Sequence, residues 1–410
     1  MAGGRRQRLT GELPNLAPRN TKPLFLLIVL TSINHCCYAG VGFSLTLYAL
    51  KLHAAPFTIG LLIALYSLFG ALTAVVAGRW ADRFGARWPM LLASAAMAAG
   101  AALAFFWRDL AALFLVGVIV GTAYNVYYIA QQQLLGQFGD LDDRVRTFSM
   151  SALGISIANF VGPLGVGLVV HEIDYPGAFL MLAVLPVVPV LFMVGNGLPN
   201  ASPGSEAKGG RGEGHGSALG LLRDRELRLI YAISLFGASI SQLFAFLMPL
   251  HGIGIGFSAF QISLIIGAFS LASAVSRLLL PLLIRSITPW SLLIGSLAVA
   301  AACFALLPFL RELVSFIVVS FFLGLMFGSS APVAHALLYE AAPAQRVGEV
   351  LGLRAMMVAG LQTVVPVAAG AITTVIGIGS IFGGFAVVLV GCCYASRGRM
   401  RRRPANATGQ

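Results

Sequence analysis

The sequence predicts an all-α membrane protein: twelve transmembrane helices in two six-helix bundles related by pseudo-two-fold symmetry. Composition is the first reason. Hydrophobic residues make up 58% of the chain and charged residues only 10%, with a mean hydropathy of +0.88. A soluble domain carries roughly 25% charged residues. The second reason is length. The apolar residues fall in long runs, and a helix needs ~20 residues to cross the hydrocarbon. The third is one flexible stretch, 196–217, rich in Gly, Ser and charge, with six apolar runs on either side.

The first run, 24–50, follows Arg5, Arg6, Arg8, Arg19 and Lys22. It is far longer than the ~7–15 apolar residues of a cleavable signal, so it reads as a retained first span. The next runs lie near 57–77, 89–107, 110–136, 147–170 and 177–198. The second set lies near 228–251, 259–283, 289–309, 312–338, 350–375 and 378–396. Runs that exceed the minimum imply tilt or extension beyond the hydrocarbon. The expected organisation is a cytoplasmic tail (1–23), an N-terminal bundle (24–198), a linker (199–227) containing His215, a C-terminal bundle (228–396) and a basic tail (397–410).

The net charge of +12 does not point to nucleic acid, because the arginines form no single basic face. They sit in short loops. With the N-terminus inside, the outer loops hold only Lys51, Arg108 and Arg311, and Arg277 alone lies within a span. This asymmetry predicts that both termini are cytoplasmic. Abundant Ala and an excess of Arg over Lys suit a GC-rich bacterial genome, hence a bacterial inner membrane. Cys36, Cys37, Cys303, Cys392 and Cys393 lie within or beside apolar runs. They offer no disulfide framework and no Cys-x-x-Cys spacing, so they read as small packing residues. No metal and no cofactor are expected.

Between spans 2 and 3 stands Gly78-Arg79-Trp80-Ala81-Asp82-Arg83-Phe84-Gly85-Ala86-Arg87. Its charges are expected in a tight turn at one membrane face. Gly78, where the helix is expected to end, lets another helix approach. Asp82 can accept backbone N–H groups or lie at a neighbouring helix N-terminus. Gly85 permits a positive φ. With Arg83 and Arg87, these residues match Gly-x-x-x-Asp-Arg-x-Gly-x-Arg. The stretch resembles the loop between the second and third helices of the major facilitator superfamily. That resemblance implies helices 3, 6, 9 and 12 outermost and a cavity formed by helices 1, 4, 7 and 10. It also implies that Asp82 contacts the N-terminal end of span 11, near Arg354, and holds the cytoplasmic side closed. The stretch 339–349 resembles the family's turn between helices 10 and 11. Aligning Arg83 with Arg285 gives a degraded second copy of the first turn, with Leu280 and Ile284 in place of the glycine and the carboxylate. The halves therefore read as a weak internal repeat.

A polar side chain is costly in hydrocarbon unless it faces a bundle interior or a wet cavity. Polar residues therefore map the inside. Span 1 has Asn34, His35 and Tyr38, and span 4 has Tyr124, Asn125, Tyr128, Gln131, Gln132 and Gln133. Span 5 has Asn159, span 7 Gln242 and His251, span 8 Gln261 and Arg277, span 10 His335 and span 11 Gln362. Spans 3, 6, 9 and 12 are almost purely apolar and suited to face lipid, as the resemblance also implies. The expected substrate cavity comprises Asn34, His35, Tyr38, Tyr124, Asn125, Tyr128, Asn159, Gln242 and Arg277.

On span 4, offsets of three, four and seven place the rings and amides on one face. Such a face suits an amphipathic organic ligand; an interhelical hydrogen-bond stripe is the other reading. Arg277 shares a face with Ser270 and Ser273, and can meet an anionic substrate group or hold backbone carbonyls. All acidic residues fall outside the span middles. A proton carrier would then be His35 or His335, since an ordinary imidazole titrates near pH 6.5. The other reading of each is a neutral histidine bonded within the packing. Span 5 contains Ala158-Asn159-Phe160-Val161-Gly162-Pro163-Leu164-Gly165-Val166-Gly167. This resembles the superfamily's Gly-x-x-x-Gly-Pro-x-x-Gly-Gly element, frequent in antiporters. Its glycines allow close packing and Pro163 bends the helix. Gly162 and Pro163 thus join Gly78, Asp82, Arg83, Gly85 and Arg87 as the expected conformational gate.

The expected function is secondary active transport: proton-coupled export of a small amphipathic organic compound, such as a drug-like molecule, metabolite or siderophore, by alternating access. The alternative is symport or facilitated uptake of a small polar metabolite such as a sugar or organic acid. No acidic pair, metal-ligand cluster or nucleophile–base set lies within the spans, so an enzyme is not expected. The expected partners are a small organic substrate, the proton and the lipid bilayer, with no nucleic acid, for a monomer.

Overall fold

The computed structural model describes residues 22–135, 141–196, 218–343 and 346–400. The basic N-terminal stretch, most of the linker with His215, and the tail from residue 401 lie outside the described residues. The first half comprises α1 (Lys22–Lys51), α2 (Pro56–Phe84), α3 (Arg87–Phe106), α4 (Leu110–Leu135), α5 (Leu141–Glu172), α6 (Tyr175–Val184) and α7 (Val187–Asn196). The second comprises α8 (Arg225–Gly254), α9 (Ala259–Ser286), α10 (Pro289–Leu306), α11 (Leu313–Ala341), α12 (Val347–Ile376) and α13 (Ile378–Met400). The described residues hold 12 spans long and apolar enough to cross a membrane. The sixth is α6 and α7 together, broken at Pro186, which has no N–H to donate.

The starts of α6, α8, α9 and α10 are set by side-chain caps. Asp174 accepts from Gly177 N ahead of α6, and Asp224 accepts from Glu226 N and Leu227 N ahead of α8. Ser258 and Gln261 form a reciprocal capping box on α9. One helix end differs from expectation. α2 does not stop at Gly78 but runs to Phe84, so Arg79, Asp82 and Arg83 are helical. No helix breaker intervenes before Gly85, which takes φ 76° and ends the helix. The turn is only Gly85-Ala86. Gly78 is not a point of close approach here: a Cβ built on it meets nothing within 4 Å.

The two halves repeat each other at a constant offset. A Cβ on Gly121 of α4 would overlap the Tyr66 carbonyl of α2, and one on Gly324 of α11 would overlap the Phe269 carbonyl of α9. One turn further on, α2 and α4 meet at Gly70 and Asn125, and α9 and α11 at Ser273 and Gly328. The same offset carries Pro163 to Pro366, each inside its helix. It pairs Arg285, not Ile284, with Asp82, which corrects the sequence alignment by one residue. Within a bilayer apolar surface gives helices little reason to associate, so small residues that let backbones touch set these interfaces.

The halves meet through α2 with α12 and α5 with α9, two pairs that the repeat interchanges. The main partners of α3, α6 and α7 lie in the first half, and those of α10 and α13 in the second. Spans 3, 6, 9 and 12 are therefore peripheral. The cross-half contacts gather toward the face where α2 begins, called here the far face. Gly60 abuts Pro366, Gly370 abuts Pro56, and Gly167 abuts Ser263 and Ala259. Phe57 N donates to Thr374 Oγ1 at 3.2 Å. Toward the opposite, basic face, Gly78 of α2 and Gly352 and Gly360 of α12 have open space instead. The halves are clasped at the far face and parted at the basic face.

Candidate functional site

Between the halves lies a cavity of about 440 Å³. The offset that relates the halves also relates its walls. Tyr38 is matched by Ser241, Ala39 by Gln242, Ile63 by Ile266, Tyr66 by Phe269, Ser67 by Ser270 and Asn159 by Gln362, and all twelve line the cavity. The backbone frame is thus repeated while the chemistry is not. The counterpart of His35 is Ala238, that of Tyr124 is Phe327, and that of Arg277 is Ala74.

The first-half wall is phenolic. The Tyr38 ring stacks on Tyr66 at 4.7 Å and on Tyr124 at 4.0 Å, centroid to centroid. The Tyr66 hydroxyl donates to the Tyr38 carbonyl at 2.6 Å. On the second-half wall phenyl rings stand where Tyr66 and Tyr124 stand on the first, with Phe269 stacked on Phe244 at 4.8 Å and on Phe327 at 5.5 Å, beside the polar Ser241, Gln242, Ser270, Ser273, Arg277 and Gln362. The result is an amphipathic chamber in which hydrogen-bonding groups and phenyl faces are both within reach of one ligand.

His35 joins three helices of the first half. Its Nδ1 is bonded to the Tyr124 hydroxyl and its Nε2 lies 3.1 Å from Asn159 Oδ1. An amide oxygen only accepts, so Nε2 carries a hydrogen, and in the neutral ring Nδ1 accepts from Tyr124. The neutral ring is fully bonded in this arrangement. On protonation Nδ1 becomes a donor and the Tyr124 oxygen turns acceptor, releasing its own hydrogen to another partner. Across the cavity, Arg277 Nη1 donates to Ser156 Oγ at 2.7 Å. Ser156 in turn donates to the Ala152 carbonyl at 2.9 Å. This bond ties α9 to α5 across the halves.

Of the residues expected at the cavity, His35, Tyr38, Asn159, Gln242 and Arg277 line it, and so does Pro163. Four do not. Asn34 is fully buried and donates to Ser94 Oγ of α3 at 2.9 Å. One residue along a helix is a 100° rotation, so Asn34 and His35 cannot share a target. Tyr124 lies buried behind His35, and Tyr128 sits 6.0 Å from Tyr124, ring to ring. Asn125 is wedged against Gly70 of α2. The cavity-lining residues absent from the expected cavity set, Tyr66, Ser67, Gln362 (named only as a polar residue of span 11) and the phenylalanines, include counterparts of residues in that set. The signal was the internal repeat, read one residue out of register.

His335 stands apart from the cavity. Its Nε2 accepts from Arg354 Nη1 at 2.9 Å, and Arg354 Nε donates to Ser234 Oγ at 2.6 Å. A guanidinium cannot accept, so Nε2 of His335 is held unprotonated. Among the described residues no hydrogen bond or ion pair joins Asp82 to the start of span 11. Asp82 accepts from Gln133 Nε2 of α4 at 3.1 Å, and Arg354 is occupied within its own half. Both facts follow from the parted basic face. Among the other gate residues, Arg83 lies over the Phe84 ring at 5.3 Å. Arg87 Nη2 donates to the Met193 carbonyl at 2.7 Å and so caps α7. Gly162 packs on Cys36 and Gly40 of α1, within one half, whereas Gly167 alone of the span-5 glycines touches the other half.

A helical membrane protein whose two pseudo-equivalent halves enclose a central cavity, shut on one face, has the architecture of a secondary transporter. The chain belongs to the Major Facilitator Superfamily, whose family model matches residues 27–359. Among solved structures it is similar to the nucleoside transporter NupG, with 17% identity and a TM-score of 0.75 over 93% of this chain and 100% of that one. It is also similar to the peptide transporter POT in complex with sulfate, with 16% identity and a TM-score of 0.70 over 93% of this chain and 96% of that one. At these identities the likeness carries the fold alone. No curated protein matches the chain. Family and neighbours point to a multi-pass transporter rather than an enzyme.

Proposed function

We propose that this protein exports a small amphipathic organic compound in exchange for protons, by alternating access, from a bacterial inner membrane with both termini in the cytoplasm. The observation that supports the substrate class is the mixed lining of the cavity: phenolic, imidazole and amide groups together with a stack of phenylalanines. An amphipathic molecule can bury its apolar part against Phe269 and bond its polar part to the opposite wall. His35 carries the proton, because it lines the cavity and its neighbour Tyr124 can switch from donor to acceptor without losing the bond. His335 is a structural partner of Arg354. On this reading the state with a parted basic face and a neutral His35 is the proton-released form, ready for cytoplasmic substrate.

Gly162, Pro163 and the Gly78–Arg87 segment act as the moving parts. Asp82 exchanges Gln133 for the start of α12 when the basic face closes. The test is flux in inverted membrane vesicles. An imposed proton gradient, acid inside, must drive accumulation of an amphipathic substrate, and His35→Gln must abolish the gradient dependence.

A specific observation favours a second reading. Among the cavity-lining residues none is a carboxylate, and the basic groups are His35 and Arg277. A proton on His35 and an anion beside Arg277 stabilise each other, which is the linkage of a symporter. Uptake of an organic acid would follow. Binding that tightens as pH falls supports symport, and binding that weakens supports exchange.

A further inference from the structure

Arg277 is the cation that the export reading leaves without a task. It stands on α9 where the internal repeat places Ala74 on α2, so the backbone frame does not require it. A guanidinium has five N–H donors. Among the described residues the acceptor it reaches is Ser156 Oγ, 2.7 Å away and 5% exposed. That hydroxyl already spends its own hydrogen on Ala152. The arginine is only partly buried and opens onto the cavity. A cation drawn into the membrane interior needs a counter-charge or a full set of acceptors, and among the described residues Arg277 is bonded to Ser156 alone.

We propose that Arg277 is the anchor for a single anionic group of the substrate, a carboxylate, whose apolar body lies against Phe244, Phe269 and Phe327. The carboxylate takes the donor that Ser156 now occupies, and gains a second, parallel hydrogen bond that a serine cannot give. One cation selects a monoanion. Because the Arg277–Ser156 bond spans α9 and α5, its exchange for substrate also releases a tie between the halves, nearer the basic face than the Gly167–Ser263 clasp. Occupancy is thereby coupled to movement. This inference rests on the reading that the central cavity is the substrate site, but not on the direction of transport or on proton coupling.

The experiment measures binding without a gradient. The purified protein in lipid nanodiscs is titrated at neutral pH with three probes of one shape: 1-naphthylacetate, 1-naphthylacetamide and 2-(1-naphthyl)ethylamine. The expected result is an acid at least about tenfold tighter than its amide, with the amine weakest. Arg277→Gln makes acid and amide equal, and Arg277→Lys keeps part of the preference. Ser156→Ala removes the competing acceptor and tightens the acid severalfold while leaving the amide unchanged. An amide that binds as well as the acid, a preference that survives Arg277→Gln, or no binding of the acid up to millimolar concentration overturns the assignment. If Arg277→Gln fails to fold, the Ser156→Ala comparison decides alone. An anion preference without proton-driven flux would sink the export reading and leave this one standing. Flux without an anion preference would do the reverse.

Discussion

Replacing Gly60 with alanine should drive the protein out of the conformation described here. The added methyl group would overlap the Pro366 carbonyl oxygen and lie 3.0 Å from its carbon and 3.2 Å from Val367 Cα. These are backbone atoms of the opposite half, so no side chain can rotate away, and relief requires α2 and α12 to separate at the far face. Overpacking of this kind costs about 1–3 kcal/mol. At about 1.4 kcal/mol per factor of ten, the balance shifts about 5- to 150-fold toward the far-face-open state. Gly78→Ala is the control, since its methyl group meets nothing within 4 Å and an alanine favours the helix by about 0.5–1 kcal/mol. The assay is pulsed electron resonance between spin labels in a cysteine-free background. One pair sits at the exposed far-face positions Lys51 and Val375, the other at the exposed basic-face positions Arg79 and Met356. Gly60→Ala should lengthen the first distance and shorten the second, and Gly78→Ala should leave the described state populated. A folded Gly60→Ala protein with unchanged distances would refute the clasp.

His35→Gln should lower gradient-driven flux at least about tenfold while substrate counterflow without a gradient persists, because an amide can hold the Tyr124 and Asn159 bonds but cannot carry a proton; undiminished driven flux removes His35 as the carrier. Asp82→Asn keeps an oxygen for Gln133 and should change stability by less than about 1 kcal/mol, yet slow net transport in reconstituted vesicles. Arg87→Ala strips the Met193 carbonyl of a charged donor and should cost about 1–3 kcal/mol, read as a lower unfolding temperature in detergent with little change in substrate affinity.

The spans were legible because each apolar run must satisfy a bilayer thickness, and composition alone reports that constraint. The peripheral place of spans 3, 6, 9 and 12 was legible for a related reason: a helix without polar groups loses nothing by facing lipid. The end of α2 was misread because a drop in hydropathy marks where hydrocarbon stops, not where helix stops, and Arg79–Arg83 contains no breaker. Asn34 was misassigned because polarity says that a side chain must be inside, not which neighbour it meets there. Ser94, a small residue in an otherwise apolar span, was too weak a signal to reveal that neighbour. Tyr66 and the Phe269 wall were missed because aromatic residues carry no periodic mark in an apolar helix. Only the repeat in its proper register exposes them, through pairs such as Asn159 and Gln362.

Labelling of a cysteine at Ser270, on the second-half wall of the cavity, asks whether that chamber is a pathway served from one side at a time. In a cysteine-free background, a membrane-impermeant thiol reagent should reach it from the basic face only, and block transport. With Gly60→Ala added, access should pass to the far face. Reaction from both faces in one state, or from neither face in both proteins, would contradict a central cavity that alternates between the two sides.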